Sequence, residues 1–204
     1  MNMKRWTVVA AGIFAMAMLA LCFNAQAYGQ AAAGWTTLFD GTSLTGWNRI
    51  GNANWTLADG AAQADQGVGF LVTPASYTDF QLRVEFWAND DANSGVFIRC
   101  QDPQQVGAAN SYEVNIYDKR PDPAFRTGAI VDVARPLAQI NAGGKWNTFE
   151  ITAQGTHLTV TLNGVRTVDT NDSKFARGPF ALQYGAGANG AGIVKFRKVE
   201  IRTL

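Results

Sequence analysis

DFQLRVEFWA, residues 79–88, alternates without a break. Phe80, Leu82, Val84 and Phe86 fall on one side, and Gln81, Arg83, Glu85 and Trp87 on the other. A period of two marks a strand with one face in a core and one turned outward. Shorter runs of the same kind follow: VFIRC (96–100), YEVNIYD (112–118), WNTFEITAQ (146–154), HLTVTLNG (157–164), PFALQY (179–184) and IVKFRKVEIRTL (193–204). Gly, Asn, Asp and Pro separate them. The only helical element expected after residue 34 is one turn around Ser173–Ala176. Many short one-sided strands joined by turns predict an all-β fold, with two antiparallel sheets packed face to face as a β-sandwich or jelly roll.

Details within these runs sharpen the expectation. Asn163-Gly164 lies between two alternating segments and is a strong signal for a two-residue hairpin, because both residues tolerate positive φ. In the last run Phe196 and Val199 are three apart, so a bulge is expected between them. GAGANGAG (185–192) has neither the spacing nor the strand-side context of a phosphate cradle and predicts a flexible loop. No repeat or linker divides the chain, so a single domain is expected.

The N-terminal region has a different character. Lys4 and Arg5 precede the apolar run TVVAAGIFAMAMLALCF (7–23), and Ala25-Gln26-Ala27 follows as a small-x-small cleavage site. This is the layout of a secretory signal peptide over residues 1–27, with an uncleaved anchor as the alternative. Export, to the periplasm or the exterior, is the implied destination. Cleavage after Ala27 leaves sixteen acidic against fifteen basic residues. That balance offers no electrostatic footprint for nucleic acid or an anionic membrane. Cys22 would depart with the signal, leaving Cys100 without a partner. Cys100 is expected on the side of Val96 and Ile98, as a small buried apolar residue.

SYEVNIYDKR (111–120) raises the functional question. Tyr112, Val114 and Ile116 make a core face, while Glu113, Asn115 and Tyr117 put a carboxylate, an amide and a phenol in a row on the other. VFIRC would present Phe97 and Arg99 on its own non-core face, so Arg99 is expected near Glu113. The single histidine, His157, alternates with Thr159 and Thr161 and is expected at the surface. Trp47, Trp55, Trp87 and Trp146 are core candidates first. Trp87, alternating with Arg83 and Glu85, has the best claim to exposure and to sugar stacking.

An ordered set of segments resembles a known family. LFDGTSLTGW (38–47), FLVTPASYTDFQLRVEFWANDDANSGVFIRC (70–100), SYEVNIYD (111–118), RTGAIVD (126–132), KWNTFEI (145–151), LNG (162–164) and GPFALQ (178–183) occur in the order found in the 3-keto-disaccharide hydrolase domain. The resemblance covers about residues 34–204. It implies a concanavalin-like jelly roll, similar to laminarinase-type glycoside hydrolases, acting on a carbohydrate. One departure stands out. The family commonly carries a histidine in a Q-x-H-G pattern after the glutamine matching Gln183, and here the chain reads QYGAGANG.

The resemblance also implies a chemistry. A ketone at C3 of a sugar acidifies the C2 hydrogen, and a base that removes it lets the enolate expel the C1 substituent. One carboxylate and a positive group near the carbonyl oxygen suffice. Glu113 is expected as the base, or as a ligand of an assisting divalent metal ion whose other ligands the sequence does not reveal. Arg99 and Arg126 are the expected oxyanion stabilisers, with Asn115, Tyr117, Gln183 and Trp87 binding the sugar. A non-catalytic carbohydrate-binding module of the same fold is the alternative. Glu113 and Asp118 are five apart and fall on opposite faces of a regular strand. That spacing argues against a conventional retaining glycosidase, whose two carboxyl groups must stand about 5 Å apart.

Overall fold

The computed structural model describes residues 34–187 and 191–204. The expected signal segment and the middle of the glycine-rich loop lie outside the described residues. Thirteen strands appear among the described residues: β1 (Thr36–Phe39), β2 (Asn48–Gly51), β3 (Thr56–Ala58), β4 (Ala61–Ala64), β5 (Gly69–Val72), β6 (Phe80–Ala88) and β7 (Ser94–Ile98), then β8 (Tyr112–Ile116), β9 (Trp146–Gln154), β10 (His157–Leu162), β11 (Val165–Asn171), β12 (Ala181–Tyr184) and β13 (Val194–Thr203). One 3₁₀ turn, Pro123–Phe125, is capped by the Asp122 side chain. The turn expected at Ser173–Ala176 is absent, and that segment runs on as irregular chain.

The strands form two sheets. The larger has the order β11-β10-β9-β6-β13-β4-β3, with β1 also pairing β13, and the smaller has the order β2-β5-β12-β7-β8. Every ladder between named strands is antiparallel. The alternation of residues 80–88 is realised in full. Phe80, Leu82, Val84 and Phe86 are buried, and the Phe86 ring stacks on Phe149 of β9 at 4.9 Å. From the smaller sheet Leu71, Val96, Ile98, Tyr112, Val114, Ile116, Leu182 and Tyr184 meet them in one intersheet core. Apolar area removed from water by both sheets is the main stabilising term of such a fold.

The local signals hold as well. Asn163 (φ 51°) and Gly164 (φ 83°) make the hairpin between β10 and β11, where Leu162 pairs Val165. Both positive φ values identify a type I′ turn, which matches the twist of its strands. A Cβ on Gly164 would meet nothing within 4 Å, so a substitution there meets a conformational penalty alone. Gly164→Val is expected to cost about 1–2 kcal/mol in urea unfolding, because a β-branched residue resists the left-handed region. The bulge in the last strand falls between Phe196 and Lys198, where the β13–β6 register shifts.

Candidate functional site

The outer face of the smaller sheet has two halves. One is apolar: Val72, Phe97, Cys100 and Ala181 form a second buried cluster, against which Ile50, Phe70 and Val106 pack. The Phe70 and Phe97 rings meet edge to face at 5.4 Å. The other half is polar and carries Glu113, Asn115 and Gln183, whose strand neighbours Val114, Ile116, Leu182 and Tyr184 face the core.

Register places these side chains. On β7, Phe97 pairs Glu113 and Gly95 pairs Asn115. Across β12, Phe97 pairs Ala181, and the same register resumes at Asn93↔Gly185, which sets Gln183 opposite Gly95. The outer edge of β8 is covered by the segment 128–131. There Val131 N–H donates to the Glu113 carbonyl, Asn115 N–H to Ala129, and Gly128 N–H to the Asn115 carbonyl. Glu113 therefore lies between Phe97 and Val131, both buried, and is itself only 8% exposed.

That setting decides its ionisation. Burial pushes the Glu113 carboxyl up to about 7; the positive charge of Arg120 pulls it down and the negative charge of Asp132 pushes it up. Loss of hydration among apolar neighbours is the dominant cause, as for other carboxyls in low-dielectric pockets. A carboxylate poised near neutrality is well matched to general-base work.

Beside Glu113 the backbone of Gly95 is closely walled by its neighbours. A Cβ there would stand 3.2 Å from the Val114 carbonyl oxygen, 3.3 Å from Glu113 Cγ and 3.3 Å from Phe97 Cε2. The two amides facing it, Asn115 and Gln183, each hold a buried side-chain oxygen without a hydrogen-bond partner. Asn115 is fixed in orientation, because its Nδ2 donates to the Phe125 carbonyl and so its Oδ1 must point the other way. Most buried polar atoms in native proteins are paired, and these two oxygens are exceptions on one polar face.

The other expected site residues divide. Tyr117 continues the outer face beyond β8, half-buried, and takes its place from a hydrogen bond between its N–H and Thr127 Oγ1 (2.9 Å). Arg126 follows the 3₁₀ turn, and its Nε donates to the Arg120 carbonyl (2.9 Å). The structure thus gathers Glu113, Asn115, Tyr117 and Gln183 on one face, with Arg120 and Arg126 on the loop beyond β8.

Arg99 is a correction. It does not stand beside Glu113 but is buried at 1% exposure, away from the polar face. Its guanidinium donates to the carbonyls of Thr78 (3.0 and 2.6 Å), Gly155 (2.8 Å) and Phe175 (3.1 Å), and to Asp79 Oδ1 (3.2 Å). The cause is its backbone: a φ of 55° ends the alternation of β7 and turns the side chain inward. The same twist moves Cys100 off the Val96 and Ile98 side and into the Phe97 cluster. Burial raises the Cys100 thiol to about 12, so it has no thiolate character.

Trp87 is the second correction. It is half-exposed, as its alternation suggests, but on the outer face of the larger sheet, paired with Trp146 and Lys195. The intersheet core separates it from Glu113, so it binds nothing held there. Trp47 and Trp55 pack in the core. His157 is exposed and meets Asp169 at 2.8 Å. Asp118 is committed elsewhere, since its carboxylate accepts from Thr127 Oγ1 and from the amides of Ala142 and Gly143 (both 2.8 Å).

Three residues escape the sequence pattern. Arg120 replaces Arg99 as the cation whose charge acts on Glu113. Gly95 reads as a turn glycine, and only register shows it lying between Asn115 and Gln183. Asn93 fills the space beside Gly185, where a Cβ would stand 3.0 Å from Asn93 Nδ2. Among the described residues no three His, Cys, Asp or Glu side chains group as a metal would need. The donor set around Glu113 thus does not match a metal centre, and no step below runs through one.

Two antiparallel sheets packed face to face, with a polar row on the outer face of one, make a jelly-roll β-sandwich. The chain belongs to the 3-keto-alpha-glucoside-1,2-lyase-like domain family, whose sequence model matches residues 34–202. It is 31% identical to a 3-keto-disaccharide hydrolase of Bacteroides thetaiotaomicron over 59% of this chain, and spans about half (52%) of that relative's length. A candidate glycosyl hydrolase of Parabacteroides distasonis superposes with a TM-score of 0.66 at 25% identity, covering 83% of this chain and 99% of that one. A carbohydrate-binding module of Bacillus subtilis, CBM66, shares the fold at a TM-score of 0.58 and 21% identity, over 83% of this chain and 96% of its own.

Proposed function

We propose that this is an exported enzyme that cleaves 3-keto-glycosides, with Glu113 as the base that removes the C2 proton. The observation that carries the reading is Glu113 itself, a carboxyl raised to about 7 by burial on a face shared with the amides of Asn115 and Gln183. The C2–H electron pair forms the enolate, and its return expels the C1 oxygen as the C1–O bond breaks. The proton taken by Glu113 goes to that leaving oxygen. Water then adds to the enone, which turns elimination into net hydrolysis. Charge gathers on the C3 oxygen in the first step, and a guanidinium there lowers the barrier. Arg120, whose charge acts on Glu113, supports that role, with Arg126 hydrogen-bonded to the Arg120 carbonyl.

The test is incubation of the protein with a 3-keto-disaccharide and with its unoxidised parent, with and without added divalent metal. Release of the C1 substituent from the keto sugar alone is expected. Binding without release under every condition would overturn the enzyme and leave a carbohydrate-binding module, the outcome favoured by Gly185 standing where the family carries histidine.

A further inference from the structure

The outer face of the larger sheet, across the core from Glu113, carries a cavity of about 280 Å³. Strand pairing builds its floor from two rows of side chains. Arg83, Glu150, Thr161 and Arg166 are successive cross-strand neighbours on β6, β9, β10 and β11, and Gln81, Thr152 and Thr159 make the next row. Trp35, just before β1, adds an aromatic wall. Two guanidiniums hold that ring in place, Arg83 at 4.4 Å and Arg202 at 5.3 Å from its centre; such contacts are favourable over an indole face. Unlike the amides beside Gly95, these groups meet water. The Arg83, Glu150 and Arg166 side chains are 41%, 50% and 48% exposed.

The charges around the cavity cancel. Arg83 Nε donates to Glu150 Oε1 (2.9 Å), and Arg166 Nη1 donates to Asp169 Oδ2 (2.8 Å). Exposed pairs of this kind add little stability, and they leave no excess charge for an anion or a cation to meet. Mixed hydrogen bonding remains. The Thr152 and Thr159 hydroxyls can donate and accept, and Glu150 Oε2 accepts. Gln81 Oε1 accepts from Arg202, so Nε2 is the end of that amide left to donate. A neutral ligand whose groups each donate and accept, with an apolar side for an indole, satisfies this set. A sugar ring has both properties. We propose that the cavity is a second carbohydrate site, which binds one uncharged sugar unit of a glycan and performs no chemistry on it. Its volume lies at the small end of ligand sites, which begin at roughly 300 Å³, and suits a single ring. The reading does not depend on the reaction proposed for Glu113. Because the intersheet core separates the two faces, the protein can stay on a glycan while the other face is free.

The experiment screens the protein against immobilised neutral glycans (glucans, mannans, xylans and fructans) and polyuronates, then titrates a hexasaccharide of the neutral glycan retained. Retention of a neutral glycan in preference to the polyuronates is expected. Trp35→Ala should weaken Kd roughly tenfold, the cost of removing an aromatic anchor, and Trp35→Phe should recover most of that loss. Thr159→Val keeps the shape without the hydroxyl and should weaken Kd by roughly threefold to tenfold. Glu113→Gln should bind as the wild type does, and Trp35→Ala should cleave a 3-keto-disaccharide at the wild-type rate. Failure to retain any neutral glycan, preference for polyuronates, or neutral binding that survives both Trp35→Ala and Thr159→Val would overturn the site. Each of those results leaves the Glu113 reaction standing. Neutral binding that Trp35→Ala and Thr159→Val both weaken, in a protein that cleaves no keto sugar, would uphold the site and sink the reaction.

Discussion

Glu113→Gln is expected to lower turnover of a 3-keto-glycoside by about a hundredfold to ten-thousandfold, the usual worth of a general base. The amide keeps the shape and hydrogen-bonding reach of the carboxyl but cannot take the C2 proton. Turnover by the wild type should rise with pH and level off above about 7, because the base works only when ionised and its carboxyl is raised to about 7. Stability should move the other way. The folded pKa lies above the ordinary 4.5, so the folded protein binds the proton more tightly than the unfolded chain. That contribution is complete below pH 4.5 and is lost as pH rises to 7, by about 3 kcal/mol at most. Glu113→Gln removes the ionisation, so it should melt above the wild type at pH 8 and lose that advantage at pH 4. A variant of unchanged activity would eliminate Glu113 as the base; one no more stable at pH 8 would show that the carboxyl is hydrated.

Arg99→Ala should be the most destabilising single change, by about 4 kcal/mol in urea unfolding. Its guanidinium ties Thr78 and Asp79 before β6, Gly155 between β9 and β10, and Phe175 before β12. Removing it leaves a cavity and strips three carbonyls of their charged donor, the situation in which truncating a buried charged partner costs most. Arg99→Lys keeps the charge but lacks the planar fork, and an intermediate loss of about 2 kcal/mol is expected. Because Arg99 lies away from the polar face, folded Arg99→Lys should retain wild-type kcat. A large fall in kcat with stability intact would return Arg99 to the catalytic machinery.

What the sequence discloses and what it conceals follow from the range of each signal. Alternation along Phe80–Phe86 or Tyr112–Ile116 is set by the pleat itself, so the fold class and the polar row of Glu113, Asn115 and Tyr117 are legible residue by residue. The Asn163-Gly164 turn and the bulge after Phe196 are equally local. Arg99 is different: one left-handed residue resets the alternation, and an arginine there gives no sign of it, whereas a glycine would. Trp87 has the exposure its alternation predicts but lies on the other sheet, because alternation states which side of a strand is outward but not which sheet the strand joins. Gly95, Arg120 and Asn93 become site residues only when β7, β8 and β12 are laid side by side, and pairing between strands this far apart in the chain has no period to betray it.

The position of β13 has a bearing on biogenesis. Residues 194–203 form an inner strand of the larger sheet, hydrogen-bonded to β6 on one side and to β1 and β4 on the other. While the ribosome is still making those residues, β6 has one unfilled edge, β4 is joined to β3 alone, and β1 lacks its partner strand. Contacts of such long sequence separation are slow to form. The larger sheet therefore cannot close until synthesis has passed Thr203, and the strands made earlier wait for their last partner.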